Sequence, residues 1–280
     1  MKTNLRRRLF SVLKHALMIL VVITALYPII WMMVSSLRPD GSIFSNPSPI
    51  PTTFHWQNYV YGWRALGAPF SRYLINSLIV VVAAIVGNLI TCTMAAYAFA
   101  RLKFKFQKPA FAFMLLTIMI PIHVVIVPQY IIWAQAGLVN TFWPLVIPKF
   151  LATDAFFIFL MVQFIRGLPK ELDEAARIDG AGHGRIFLQI LLPLMTPALA
   201  TVTIFTFIWT WNDFFVQMIF LTDPKLYTVP IALRSFIDAQ SSSSYGAMFA
   251  MSTISVLPLL LIFAFGQKYL IQGIATTGLK

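Results

Sequence analysis

The segment LINSLIVVVAAIVGNLITCTMAAYAFA, which runs from Leu74 to Ala100, contains no Asp, Glu, Lys or Arg. A helix needs about 20 apolar residues to cross the roughly 30 Å hydrocarbon core of a bilayer, and this segment exceeds that length. The whole chain is similarly apolar, since 59% of its 280 residues are hydrophobic and only 11% are charged. Soluble domains carry about 25% charged residues, so the composition indicates a membrane protein.

Five further segments have the length and apolar character of membrane spans. Together with the segment quoted above, they cover about 10–34, 74–100, 110–133, 143–165, 194–220 and 247–270. None alternates apolar and polar residues as the strands of a transmembrane barrel do, and helices satisfy their own backbone polar groups in lipid. We therefore predict an all-α membrane protein in which residues 1–280 form one domain with six transmembrane helices.

Basic residues between the spans predict the orientation of the chain, because Lys and Arg are retained on the cytoplasmic side. The side that holds both termini and the loop at 167–192 carries fifteen Lys and Arg, against five on the other side. The five are Arg38, Arg64, Arg72, Lys225 and Arg234, and Lys149 near the start of the fourth span is not counted. Both termini and the loop at 167–192 are therefore predicted to be cytoplasmic.

Nucleic-acid binding, an intramolecular disulfide and a metal site are not expected. The net charge of +12 is typical of nucleic-acid-binding proteins, but here the basic residues are spread over the gaps between apolar segments, so no nucleic acid is predicted. Cys92 is the only cysteine, which rules out an intramolecular disulfide. The four histidines fall in four different topological regions, so no metal site is predicted.

The loop at 167–192 carries the signals of a short helix. Pro169 is placed to start it, and Gly180 can adopt the left-handed conformation that ends it. Between them, Glu171, Asp173 and Glu174 fall in the first turns, where the helix dipole favours negative charge. We expect a cytoplasmic helix of about ten residues between the fourth and fifth spans.

One face of this helix is predicted to be small and nearly flat, which lets another backbone approach closely. The residues of that face are Leu172, Ala175, Ala176 and Asp179. A second apolar helical segment follows at 186–192 and is broken by Pro193 before the fifth span. By composition alone, the helix could equally be an ordinary interfacial loop helix.

The spacing of certain residues in this loop distinguishes a helix that docks on another protein from an ordinary interfacial helix. Glu174, Ala175 and Ala176 are followed after three residues by Gly180, and Ile190, Leu192 and Pro193 come at a fixed distance beyond it. This pattern resembles the EAA signature in the cytoplasmic loop of permease subunits of bacterial ABC importers. Similar blocks at 95–102, 137–141 and 211–214 narrow the resemblance to the maltose-permease-like group, which imports sugars, oligosaccharides and glycerol phosphates.

The resemblance implies a role for the motif residues. In such importers the loop helix inserts into a groove on a cytoplasmic ATPase. Glu174 would pair with a basic residue there, Ala175 and Ala176 would form the close-packed face, and Gly180 would set the bend. The chain has no Gly-x-x-x-x-Gly-Lys-Ser/Thr sequence for binding phosphate. A separate ABC ATPase would therefore bind ATP and Mg²⁺, and this chain would be neither an enzyme nor a cofactor protein.

The resemblance also implies an assembly in the bacterial cell membrane. Its parts would be this chain, a second permease subunit, two ABC ATPase subunits and an external solute-binding protein. Together they would import a carbohydrate by alternating access.

The fifth span contains a polar stripe that suits a solute path. Hydroxyl, amide and carboxylate groups recur there every three or four residues, and an indole lies alongside. Such groups can hydrogen-bond a sugar and cover its C–H face. The predicted pathway residues are Thr206, Trp209, Thr210, Asn212, Asp213 and Gln217, together with Asp154 of the fourth span.

Each of these residues could instead hydrogen-bond a neighbouring helix. Asp154 could line the pathway or form half of a buried ion pair with a partner chain. An ion-coupled secondary carrier would use Asp154 and Asp213 to bind protons or sodium, and an intramembrane enzyme would need two such groups paired for acid and base chemistry. In the third span, Pro121 and Pro128 predict a kink or a break.

Overall fold

The computed structural model describes residues 2–45, 53–237 and 244–277, and every regular element within those ranges is helical. In chain order the helices are α1 (Lys2–Ser35), α2 (Asp40–Ile43), α3 (Gln57–Arg64), α4 (Phe70–Arg101), α5 (Gln107–Thr117), α6 (Ile122–Gln135), α7 (Trp143–Val146), α8 (Ala155–Gly167), α9 (Glu171–Ile178), α10 (His183–Leu194), α11 (Thr196–Asn212), α12 (Phe215–Phe220), α13 (Val229–Arg234) and α14 (Tyr245–Thr277). The middle of α10, Ile186–Leu191, is π-helical, and 3-10 turns occur at Ile147–Leu151 and Pro224–Leu226. The predicted all-α class is confirmed for the described residues.

Four segments of the described chain are long and apolar enough to cross a membrane by themselves. They are Phe10–Ser35, Phe70–Arg101, Trp143–Gly167 and Tyr245–Lys268. They coincide with the first, second, fourth and sixth predicted spans. Two further candidates qualify only if a sharply bent pair of helices counts as one span, so the described residues contain four to six candidate spans.

The third predicted span, 110–133, corresponds to one of the bent pairs. α5 ends at Thr117, α6 begins at Ile122, and the two are bent by 99°. Pro121 between them has an extended backbone and no N–H with which to continue a helix. The predicted break at Pro121 is therefore confirmed, whereas Pro128 lies inside α6.

The fifth predicted span, 194–220, is also interrupted. α11 ends at Asn212, Asp213 is extended (φ −69°, ψ 103°), and α12 begins at Phe215. At its N-terminal end, α11 is bent by 75° relative to α10, and Met195 joins the two helices. The predicted break before the fifth span is therefore found at Met195, two residues beyond Pro193, which lies inside α10. The predicted polar stripe is therefore divided between two helices and the residues that join them.

The smaller of two compact units combines Met1–Phe70 with Leu233–Val256. Within it, the Asn58 side-chain amide of α3 donates to the carbonyls of Ser36 (2.9 Å) and Arg38 (2.7 Å), which follow α1. A carboxylate oxygen of Asp40 accepts from the N–H of Gly246 at 2.6 Å. These bonds fasten α3 and the first turn of α14 to the segment that follows α1.

The larger unit comprises Ser71–Ala232 and Leu257–Lys280. Its main apolar core is formed by fully buried residues of α4, α8, α10 and α11. They include Cys92, Ala96, Met161, Ile165, Ile186, Leu191 and Val202. The same cluster includes Ala176 of α9, so the loop at 167–192 is packed directly against the core.

Candidate functional site

The loop at 167–192 contains the short helix that the sequence predicts, and α9 occupies Glu171–Ile178 of it. Its first turn holds three acidic residues, which lie where the exposed N–H groups of a helix favour negative charge. Gly180 follows with φ +79°, a conformation that side chains disfavour, and its N–H donates to the carbonyl of Arg177 at 3.0 Å. The chain can therefore turn sharply between α9 and α10.

The two sides of α9 differ strongly in exposure. Asp173 and Ala176 are buried, with 5% and 8% of their surfaces exposed. Glu174 and Ala175 are exposed, and Ile178 is exposed over 87% of its surface. The predicted small face is therefore divided, because Ala176 packs inward on the core while Ala175 lies outside.

An ion pair that sequence analysis missed anchors the buried side of α9. Nε of Arg101, the last residue of α4, lies 2.9 Å from a carboxylate oxygen of Asp173, and the two side chains are only 3% and 7% exposed. The Arg101 Nη2 group also donates to the carbonyl of Leu168 at 2.9 Å, before α9 begins. The contact could not be read from the sequence, because 72 positions separate Arg101 from Asp173. α9 is thus fixed to the end of α4.

The second half of the EAA signature lies in α10. Ile190 and Leu192 are half-buried and Pro193 is exposed, whereas their neighbour Leu191 is fully buried in the core. At the start of α10, the Tyr97 hydroxyl of α4 lies 3.2 Å from Nδ1 of His183. α10 therefore carries the loop back from α9 to the membrane helices.

Asp154, predicted as a pathway residue or as half of an ion pair with a partner chain, pairs with Lys149 of its own chain. The Lys149 ammonium lies 2.9 Å and 3.1 Å from the two carboxylate oxygens. These residues are five positions apart, and the left-handed backbone of Ala152 (φ 54°) turns the chain between them. The Asn88 side-chain amide of α4 donates to Asp154 (2.7 Å) and to the Thr206 hydroxyl of α11 (3.1 Å).

Two of the predicted pathway residues are buried among other residues of this chain. Thr206 and Gln217 are each 2% exposed. The Gln217 amide donates to the carbonyl of Thr210 at 2.8 Å and its oxygen accepts from the Thr228 hydroxyl. Thr206 and Gln217 therefore satisfy internal hydrogen bonds in this chain. Asp213 is half-buried and accepts from the N–H of Val216 at 3.1 Å, which caps α12.

Three of the predicted pathway residues, Thr210, Asn212 and Trp209, are more exposed. Thr210 is half-buried, Asn212 is exposed, and Trp209 is 49% exposed. The Trp209 ring stacks on Phe157 of α8, with ring centres 5.0 Å apart and an angle of 22° between the planes. The exposed indole therefore lies against the first turn of α8, which begins directly after Asp154. Lys149, Asp154 and Thr206, which Asn88 bridges, are here called the polar cluster.

Residues 87–276 match the family described as binding-protein-dependent transport system inner membrane component. The chain is 33% identical over 262 residues to the diacetylchitobiose uptake system permease protein NgcG of Streptomyces coelicolor, covering 93% of this chain and 86% of that protein. It is 31% identical over 259 residues to the arabinooligosaccharides transport system permease protein AraQ of Halalkalibacterium halodurans, covering 91% of each.

A solved structure has the same fold. It is the crystal structure of a bacterial ABC transporter involved in the import of the acidic polysaccharide alginate, and one of its chains superposes with a TM-score of 0.81 at 24% identity. The superposition covers 94% of this chain and 97% of that chain.

The matched family and the long shared alignments agree with the EAA signature in α9 and α10. They confirm the predicted class of transporter subunit, and they exclude an ion-coupled secondary carrier and an intramembrane enzyme as its main function. ATP hydrolysis belongs to a different subunit of such transporters. This chain therefore belongs to the family of binding-protein-dependent transport system inner membrane components, as a multi-pass permease subunit of an ABC importer.

Proposed function

We propose that the chain forms half of the translocation pathway of an importer for sugars or oligosaccharides. Two similar permeases are described as acting on carbohydrates, diacetylchitobiose in one case and arabinooligosaccharides in the other. The other half of the pathway would come from a second permease subunit. Two ABC ATPase subunits would bind ATP and Mg²⁺, and an external solute-binding protein would deliver the sugar.

The proposed topology has six spans, of which the third and the fifth are bent, with both termini and α9 in the cytoplasm. The excess of Lys and Arg on that side supports this orientation. Broken helices are tolerated in a membrane where their free backbone groups are buried in protein or line a cavity. The break at Asp213 and the bend at Pro121 thus favour a position of both spans at the solute pathway.

In this proposal α9 transmits the motion of an ATPase to the membrane helices. The observation that carries it is the two-sidedness of α9, which is anchored through Asp173 and Ala176 while Glu174, Ala175 and Ile178 stay exposed. A helix that is anchored on one side and exposed on the other can transmit the movement of a bound partner to the helix that anchors it. Ile178 supplies the apolar contact, and Glu174 would pair with a basic residue of the ATPase.

The substitution Glu174→Lys tests this role in the complete transporter reconstituted in vesicles. Removing one partner of a charge pair at an interface costs about 2–5 kcal/mol, so ATP-driven sugar uptake should fall at least about tenfold. The chain should still insert, because the Glu174 side chain is exposed at the surface of α9. Lys108→Glu is the control, since Lys108 is an exposed charge at the start of α5, outside this loop.

Wild-type uptake in the Glu174→Lys transporter would refute the docking role of α9. Equal losses in Glu174→Lys and Lys108→Glu would also refute it, because the effect would then follow from surface charge in general. Glu174→Gln should give an intermediate rate, since it removes the charge pair without adding repulsion.

The remaining pathway residues belong to the same proposal in two roles. Trp209, Thr210 and Asn212 have exposed surface that can face a solute. Gln217 would position Thr210 through its backbone carbonyl, and Thr206 and Asp213 would support the surrounding helices through Asn88 and Val216. Asp154 contributes through the polar cluster.

A further inference from the structure

The ion pair of the polar cluster is partly open although it lies in a segment with the properties of a membrane span. Lys149 and Asp154 have side-chain exposures of 27% and 24%, and both belong to the candidate span Trp143–Gly167. Open charges in contact with hydrocarbon are costly, so ionisable groups at membrane depth face a water-filled cavity or the interior of a bundle. The open side of this ion pair is therefore a polar surface inside the membrane region.

The open indole of Trp209 adjoins this surface. Asn88 holds Asp154 and Thr206 together through one amide group. Phe157, in the first turn of α8, follows Asp154 by three positions, which is about one helical turn. Phe157 and Trp209 are stacked at 5.0 Å. The open ring therefore lies against the first turn of α8, which begins directly after Asp154 of the ion pair.

The Trp209 ring is held firmly while remaining accessible. Phe157, which covers one side of it, is itself only 1% exposed. Phe156 and Phe205 flank the ring, with centres 5.4 Å and 5.7 Å away. About half of the residue's surface remains open. A fixed aromatic plane of this kind loses little conformational freedom when a flat apolar ligand face is laid on it.

The charge balance of the cluster indicates which ligands it favours. The Lys149 ammonium is already neutralised by both oxygens of Asp154. The pair can still hydrogen-bond a ligand, because an ammonium has three donors and a carboxylate has about four acceptor positions. It offers no net positive charge to a phosphate or a carboxylate, and Asp154 would repel such an anion.

We propose that Trp209 and the Lys149–Asp154 pair form a subsite for a neutral saccharide ring in the translocation pathway. The indole covers the C–H face of the ring, and the ion pair hydrogen-bonds its hydroxyl groups. This inference rests on the proposed function of carbohydrate import, and it narrows the substrate to neutral sugars.

Sugar binding to this subsite can be measured by isothermal titration of the complete transporter in lipid nanodiscs, without the solute-binding protein. The neutral probes are diacetylchitobiose and arabinotriose, and the anionic probe is an alginate disaccharide. The wild type should bind a neutral probe at least about tenfold more tightly than the anionic one. Trp209→Leu should weaken neutral binding about tenfold, and Trp209→Phe should weaken it less because an aromatic plane remains.

The control for the indole is Trp143→Leu. Trp143 is also exposed, at 56%, and lies in the same candidate span as Asp154, but it is outside the polar cluster. Binding of the neutral probes should be unchanged in this variant.

Two charge variants separate ligand recognition from a structural role of the ion pair. Asp154→Asn leaves the charge of Lys149 uncompensated and should raise the affinity for the alginate disaccharide while lowering that for the neutral probes. Lys149→Met leaves Asp154 as an anion and should lower the affinity for the alginate disaccharide further. A purely structural pair would instead make both variants lose all probes alike, which would overturn the proposal.

Three other results would overturn it. The wild type could bind none of the neutral probes, Trp209→Leu could bind them as the wild type does, or the Trp209→Leu transporter could lose its second permease on purification, which would identify this surface as a subunit contact. Failure of the proposed function is recognised separately, because the wild-type transporter would then import no carbohydrate in the vesicle assay at all.

Discussion

Replacing Asp173 by Asn tests whether the buried ion pair holds the coupling helix α9 in place. The exchange keeps the volume of the side chain but leaves the guanidinium of Arg101 without a counter-charge in a site where only 3% of that side chain is exposed. Removing one partner of a buried pair costs about 3–5 kcal/mol. Because the Leu168 carbonyl still accepts from Arg101, we expect about 3 kcal/mol, the lower end of that range.

This cost falls on the attachment of α9, since opening of the loop lets Arg101 reach water. A change of about 3 kcal/mol corresponds to roughly a hundredfold change in an equilibrium constant. Amide hydrogen exchange in the complete transporter should therefore show protection in Glu171–Ile178 reduced by up to about two powers of ten. Sugar imported per ATP hydrolysed should fall with it.

The double variant Arg101→Met with Asp173→Leu is the matched control. It removes both charges and places apolar side chains of similar size in the buried site, an exchange that is often close to neutral in stability. Protection of α9 should return towards the wild-type level. Unchanged exchange in Asp173→Asn would refute the anchoring role of the pair, as would a double variant no better protected than the single one.

Two further predictions concern the exposed face of α9 and the packing of α4. Ile178→Asp should leave the stability of the chain within about 0.5 kcal/mol, because Ile178 is 87% exposed, and should strongly reduce ATP-driven uptake; normal uptake would show that no partner covers this residue. Gly87→Ala should destabilise the purified transporter by about 1–3 kcal/mol, because its Cβ would lie 2.9 Å from the backbone carbonyl carbon of Lys149. A lowered thermal unfolding temperature measures this, and Gly184→Ala, with nothing within 4 Å of its Cβ, should not lower it.

The parts of the fold that follow from local chemistry could be predicted from the sequence. Apolar segments such as Leu74–Ala100, which lies within α4, are recognised by length and hydropathy alone. α9 is bounded by Pro169, a cluster of acidic residues and Gly180, each of which acts through its own backbone or charge. The bend before the fifth span lies at Met195, two residues beyond the Pro193 that indicated it, because hydropathy does not report where the axis of an apolar segment turns.

The contacts of the candidate site could be predicted only in part, because they join residues that are distant in sequence or depend on an unusual backbone conformation. Glu174 and Ala175 are exposed in a helix, as the loop pattern indicated. The partners Asp173 and Arg101 are far apart in sequence, and the pairing of Lys149 with Asp154 depends on the left-handed turn at Ala152, a residue type that rarely adopts this conformation. Which polar residues of the fifth span are buried could not be read from their spacing, since that span is broken at Asp213.

The most direct test of the account is sugar uptake by vesicles that contain the permease pair with or without its ATPase subunits. The solute-binding protein is present in both preparations, and a proton or sodium gradient is applied in place of ATP in a parallel sample. If a separate ATPase drives this chain through α9, uptake will require both the ATPase and ATP. Uptake at the full rate by the permease pair alone, driven by an ion gradient, would contradict the account.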